Sequence, residues 1–185
     1  MQNSVATKSR VGAGEILRFR YLGRHDIEDL AELWRSQHRR HTALAPHLED
    51  VITSVGVDES WRRRRAQYLD WLADPDTIAV LAERGGVPVG YAMVTVRRAH
   101  QGSWERGERV AVVQTLSVRP DAEDAQVGPA LLEEVQHQLA AVGIRELELD
   151  AVATNADAIR FYEEQGFRPF VTTLVARIGM AGPHD

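Results

Sequence analysis

A chain of 185 residues is long enough for one sizeable core, and its length alone points to one domain. With 44% hydrophobic and 26% charged residues it is an ordinary globular composition, and a net charge of −5 weighs against a dedicated nucleic-acid binder. The sequence has no cysteine, which excludes disulfides, thiolate zinc sites and a cysteine nucleophile and is compatible with a reducing compartment. No apolar run nears the roughly 18 residues of a membrane span, and the N-terminus lacks a signal-peptide core, so a cytoplasmic, non-membrane protein is expected.

Residues 1–14 are small, polar and without period, the pattern of a flexible tail. Leu17, Phe19 and Tyr21 alternate with Arg18 and Arg20, which predicts a half-buried strand. Asp26 is placed to cap a helix carrying Ile27, Leu30, Leu33 and Trp34 on one face and fading near His41. Residues 41–57 read as loop with at most a turn of helix. A second helix is expected over about residues 59–73, with Trp61, Tyr68, Leu69 and Leu72 as its apolar stripe and Pro75 beyond its end. Residues 77–83 and 88–98 are strand-like about Arg84-Gly85-Gly86, a hairpin signal.

Residues 110–118 begin with an almost continuous apolar run, as expected of a central strand covered on both faces. A polar turn, residues 119–125, leads into a helix with Leu131, Leu132, Val135, Leu139 and Val142 at helical spacing, Pro129 in its first turn and Gly143 past its end. Leu147 and Leu149 mark a further strand. Asn155 to Phe167 reads as a short helix capped by Asn155 and stopped by Gly166, with Ile159 and Tyr162 on one face and Phe167 folding back onto it. Residues 171–178 are a last strand candidate. Strand–helix–strand units alternating with a hairpin meander predict a single α/β domain built on a mixed sheet.

Leu116-Ser117-Val118 with Pro120, then Gly128-Pro129-Ala130-Leu131-Leu132, then Asn155, Ala158, Tyr162, Gly166 and Phe167 together resemble the GNAT superfamily of acyl-CoA-dependent N-acetyltransferases. The likeness implies a GNAT-like fold over residues 15–179, with a mixed sheet of about six to seven strands and about four helices, and residues 180–185 as a tail. It also implies acetyl-CoA as acyl donor, with no metal. Leu116, Ser117 and Val118 would offer backbone groups to the pantetheine arm and to the oxyanion. Gln126, Val127, Gly128, Pro129 and Ala130 would open the diphosphate-binding helix, where backbone N–H groups and the helix dipole favour an anion. Asn155 would contact the cofactor arm or cap its own helix. Tyr162 would protonate the departing thiolate or serve as a half-buried core aromatic.

The family's diphosphate loop, Gln/Arg-x-x-Gly-x-Gly/Ala, aligns here with Glu123, Gln126 and Gly128, and only the last agrees. Asp121, Glu123 and Asp124 set like charge close to where an anion would bind, and Gln126 fits the turn only if no positive φ is required. Gln114 and Thr115 stand where a glutamate base is frequent in the family, leaving Glu105, Glu108, His100 and Asp150 as open alternatives.

Arg62, Arg63, Arg64 and Arg65 are successive on a helix, about 100° apart, and so form no single basic face; Arg65 is expected to snorkel over the core. His38, His41 and His47 lack the partners of a metal site. The serine-hydrolase elbow and the dinucleotide fingerprint are both missing. Two function classes follow. One is direct acetyl transfer to a primary amine of a small molecule, peptide or protein, with residues 37–64 and 100–108 framing the acceptor. The other is a non-catalytic or weakly cofactor-binding relative acting as a binding or regulatory domain. A homodimer through residues 171–178 is left open.

Overall fold

The computed structural model describes residues 9–10 and 16–179, the side chains of residues 9, 10 and 123–125 excepted. Six strands form one mixed sheet in sequence order: β1 (Ser9–Arg10), β2 (Leu17–Tyr21), β3 (Ile78–Arg84), β4 (Val87–Arg98), β5 (Arg109–Val118) and β6 (Leu147–Leu149). All neighbours are antiparallel except β5 and β6, which run parallel around a helical crossover. The β3–β4 hairpin closes through Gly85 and Gly86, both at positive φ (57° and 79°), which matches the strands' right-handed twist. Two residues of the expected N-terminal tail pair with β2 as β1; the rest of residues 1–14, and residues 180–185, lie outside the described part.

The helices cover the two faces separately. A tight helical stretch, Arg24–Leu30, leads into α1 (Ala31–Ala43), which packs with α2 (Val57–Trp71) on one face. There Ile27, Leu30, Leu33, Trp34, Trp61 and Tyr68 bury Leu81, Tyr91 and Met93. On the other face α3 (Val127–Ala141) lays Val127, Leu131, Val135 and Leu139 over Phe19, Val80, Val94, Ala111 and Val113. The last helix, α4 (Ala156–Glu164), follows β6. Gly90 marks the closest approach under α3: a Cβ there would stand 2.8 Å from the Ser117 carbonyl oxygen and 3.0 Å from Val127 Cγ1.

Three expectations are corrected. Asp26 is not the capping residue itself; it sits three residues inside the turn and its carboxylate accepts the Gly23 N–H at 2.8 Å. Arg65 pairs with Glu28, and it is Arg64 that lies over the core aromatics, its guanidinium 4.3 Å from the Trp34 ring centre. Residues 171–178 form no strand; Val171, Leu174 and Ile178 are 76%, 89% and 99% exposed. Their β-prone composition is a local preference, whereas a strand exists only where a neighbour takes up its backbone groups.

Candidate active site

The parallel pairing of β5 with β6 is short. It covers Ala111↔Leu147, Val112↔Glu148 and Val113↔Leu149, and then β5 continues to Val118 paired with β4 only. The parting coincides with an irregularity: Val113 faces Val94 and Thr115 faces Met93, so Gln114 is an extra residue bulged out of the β4 ladder. Beyond it the alternation is regular. Arg119 N–H bonds the Val89 carbonyl at 2.8 Å, so Ser117 also directs its backbone to β4, and Leu116 and Val118 direct theirs to the side that β6 has left.

Thr115 and Ser117 point instead toward α1 and α2. The Tyr68 hydroxyl lies 2.6 Å from Thr115 Oγ1 and 2.9 Å from the Tyr91 hydroxyl, a buried chain that pins α2 to the bulged part of β5. Burial pushes Tyr68 up to about 12, against the bonds from Thr115 and Tyr91, and raises Tyr91 well above its ordinary value. Ser117 Oγ donates to the Leu33 carbonyl of α1 at 3.3 Å.

The start of α3 stands at the end of the open edge. Gln126 is the N-cap and adopts φ 60°, ψ 17°, the one non-glycine residue at positive φ among the described residues. The turn therefore does require the left-handed conformation that the first glycine of the family loop supplies freely. The Ala130 N–H is engaged by the Gln126 carbonyl at 3.1 Å and Pro129 has none, leaving the N–H groups of Gln126, Val127 and Gly128 at the terminus. Of the nearby acidic residues, Asp121 is taken by Arg119 Nε at 2.5 Å, and the side chains of Glu123 and Asp124 lie outside the described part.

Gly128 draws the pieces together. A Cβ there would meet Phe161 Cζ at 3.2 Å and Val118 Cγ2 at 3.8 Å, so the end of β5, the first turn of α3 and the middle of α4 share one contact. Asn155 caps α4, its Oδ1 accepting the Ala158 N–H at 3.2 Å. Gly166, at φ 92°, ends the helical segment and returns Phe167 to Tyr162, their rings edge-on with centres 5.6 Å apart. Phe161 packs against Tyr162 from the other side, centres 5.1 Å apart. Enclosed this way, the Tyr162 hydroxyl is pushed up to about 12 by burial.

The structure thus brings Leu116, Val118, Gly128 and the Phe161–Tyr162 pair to one region and turns Ser117 to the α1 side. Glu105, Glu108, His100 and Asp150 are all exposed. His38 is occupied by the Ser60 hydroxyl at 3.1 Å and the Val55 carbonyl at 3.0 Å, and no group of three metal-ligating side chains is found among the described residues. Phe161 and the Gln114 bulge were missed from the sequence. Two polar residues in succession, Gln114-Thr115, inside an apolar run were the available signal for the second.

Residues 27–167 match the model of the acetyltransferase (GNAT) family. The mycothiol acetyltransferase of Propionibacterium freudenreichii subsp. shermanii is 29% identical over 153 residues, 83% of this chain and 43% of that protein. The IAA acetyltransferase of Azospirillum brasilense is 32% identical over 99 residues, 54% of this chain and 60% of that protein. The chain thus spans about half the length of these two relatives. The aminoglycoside N-acetyltransferase AAC(6')-Iy, solved with CoA, superposes with a TM-score of 0.65 at 17% identity, covering 92% of this chain and all of that one, which is a likeness of fold.

Two outcomes follow from this geometry. Gln126→Gly should raise unfolding stability in urea by about 1 kcal/mol, because glycine adopts the left-handed turn without the side-chain clash. In alkali, Tyr68 and Tyr162 stay neutral in the folded chain up to about pH 12, whereas in the unfolded chain they ionise near the ordinary value of 10. Stability is therefore full below pH 10 and should fall between pH 10 and 12, as read by urea unfolding at a series of pH values.

Proposed function

Because the chain belongs to the acetyltransferase (GNAT) family, we propose that it transfers the acetyl group of acetyl-CoA directly to a primary amine. The observation that carries this reading is the open edge of β5, with outward backbone groups at Leu116 and Val118, ending against the N–H groups that start α3. Acetyl-CoA supplies the activated acyl group. The pantetheine amides fit an edge strand that lacks a neighbour, since they bond to it as a strand would. The diphosphate fits the N–H groups of Gln126, Val127 and Gly128, with Pro129 costing no donor that the helix itself uses. Asn155 is spent on capping α4, so its part is to hold that helix in place. An N–H of the Leu116–Val118 edge stabilises the oxygen on which charge develops. With no cysteine in this sequence to carry the acyl group, the amine attacks the thioester itself.

In this reading Tyr162 gives its proton to the leaving sulfur. A hydroxyl held near 12 is fully protonated at neutral pH, and the contacts of its ring with Phe161 and Phe167 hold it in place. The relatives' names carry mycothiol, IAA and an aminoglycoside, which are chemically unlike one another and single out no one acceptor. The acceptor here is accordingly a small-molecule amine or a peptide or protein amine. The relative that has lost transfer and only binds remains the second reading, favoured by the strained Gln126 in place of glycine.

Calorimetric titration with acetyl-CoA separates these readings: saturable binding supports the first, and none at millimolar cofactor removes it while leaving the fold untouched. Tyr162→Phe should lower kcat by about 100-fold or more with acetyl-CoA affinity unchanged, and an unchanged kcat refutes the acid role. A second copy would pack against the exposed apolar residues Val171, Leu174 and Ile178. Light scattering should then give a mass near twice the 20.7 kDa of the chain, and a value of 20.7 kDa rejects the dimer.

A further inference from the structure

Helix α1 is fastened to both sides of the opening between β5 and β6. Its Leu33 carbonyl accepts the hydroxyl of Ser117, which lies on β5 past the point where β6 departs. Its Leu44 carbonyl, one residue beyond the last turn, accepts the hydroxyl of Thr154, which lies in the segment following β6 past that same point. The two anchors are eleven residues apart on one helix, so α1 spans about 16 Å from one diverging arm to the other.

Gln37 follows Leu33 by four residues, on the same helical face, and Leu44 returns to that face. Gln37 therefore lies on the face of α1 between the two anchored residues. Beside it, His38 is held by Ser60 and Val55, and Thr42 Oγ1 donates to the His38 carbonyl at 3.1 Å. Gln37 Oε1 is the exception. It is buried with no hydrogen-bond partner, the one side-chain oxygen or nitrogen so placed among the described residues. Such an atom lowers stability unless something other than the protein supplies its donor. Gln37 as a whole is half-buried, and rotation about its Cγ–Cδ bond exchanges its buried oxygen with its amide nitrogen without moving the helix.

We propose that Gln37 receives the acceptor amine, its amide oxygen taking one N–H of the attacking nitrogen. The assignment rests on the acetyl-transfer reading. A primary amine has one lone pair and two N–H bonds, and fixing one N–H aims the lone pair at the thioester carbonyl. As the N–C bond forms, the nitrogen becomes positive and its N–H a stronger donor, so the contact tightens toward the transition state. An amide oxygen is far too weak a base to keep the proton. That proton leaves to water, the C–S bond breaks, and the thiolate is protonated, which gives one acetamide and one CoA thiol. Gln37 thus recognises the amine nitrogen and not the remainder of the acceptor.

The test uses the full chain with acetyl-CoA and n-propylamine, the reaction followed by release of the CoA thiol. Gln37→Leu should raise KM for propylamine at least tenfold, leave acetyl-CoA affinity by calorimetry unchanged, and leave the melting temperature the same or higher, because an unpaired buried polar atom has been removed. A residue held only for packing would show the reverse, a lower melting temperature with no change in KM. Gln37→Glu should move the rising limb of the pH–rate profile to higher pH, since a carboxylate there holds the amine as ammonium. An unchanged KM in the leucine variant overturns the assignment, as does a wild-type chain that binds acetyl-CoA yet leaves propylamine unreacted. A wild-type chain that binds no acetyl-CoA overturns the transfer reading itself.

Discussion

Two parallel strands that begin together and part after three residues leave a problem that the rest of the molecule is arranged to meet. β5 pairs with β6 only as far as Val113↔Leu149, and each then runs on without the other. Backbone groups freed in this way inside a protein need partners. On one face α1 ties the arms together through Ser117 and Thr154; at the end of the gap α3 and α4 meet through Gly128 and Phe161. The buried hydroxyls of Tyr68, Tyr91 and Thr115 hold the bulged strand to α2, so the parting is fixed in place by four helices and is not a frayed end.

This constraint also explains why glycine and aromatic residues fall where they do. Gly90 and Gly128 are positions where another part of the chain comes within van der Waals reach of the backbone, from Ser117 and Val127 in one case and Phe161 in the other. Phe161 and Tyr162 on α4 and Phe167 just beyond it make successive tilted and edge-on ring contacts. These contacts help a nine-residue helix to hold its place, since so short a helix has little stability of its own.

Much of this was legible in the chain because it is local. The Gly85-Gly86 turn, the Asn155 cap and the Gly166 stop each depend on a few adjacent residues, and the structure has them as the spacing predicts. The family motifs marked β5, α3 and α4 correctly for the same reason. What escaped was set by partners distant in sequence. Residues 171–178 have the composition of a strand and no ladder to join, and whether Arg64 or Arg65 lay over Trp34 depended on where Glu28, in the stretch before α1, stood against α2. The left-handed turn at Gln126 was hidden because glutamine does not advertise it.

The extra residue in β5 reaches further than its own position. Before Gln114 the odd-numbered side chains Ala111 and Val113 belong to the core under α3; after it the odd-numbered Thr115 and Ser117 face α1 and α2, and Leu116 and Val118 take over the α3 side. One residue reverses the parity of the strand. The hydroxyls reach the helices they bond, and the apolar pair reaches the core, only because the count up to that point is odd by one. At Gln114 the chain is thus constrained in length more than in identity. Many side chains could occupy a bulge, but removing the residue would send two hydroxyls into an apolar core and two aliphatic side chains into the polar seam above it.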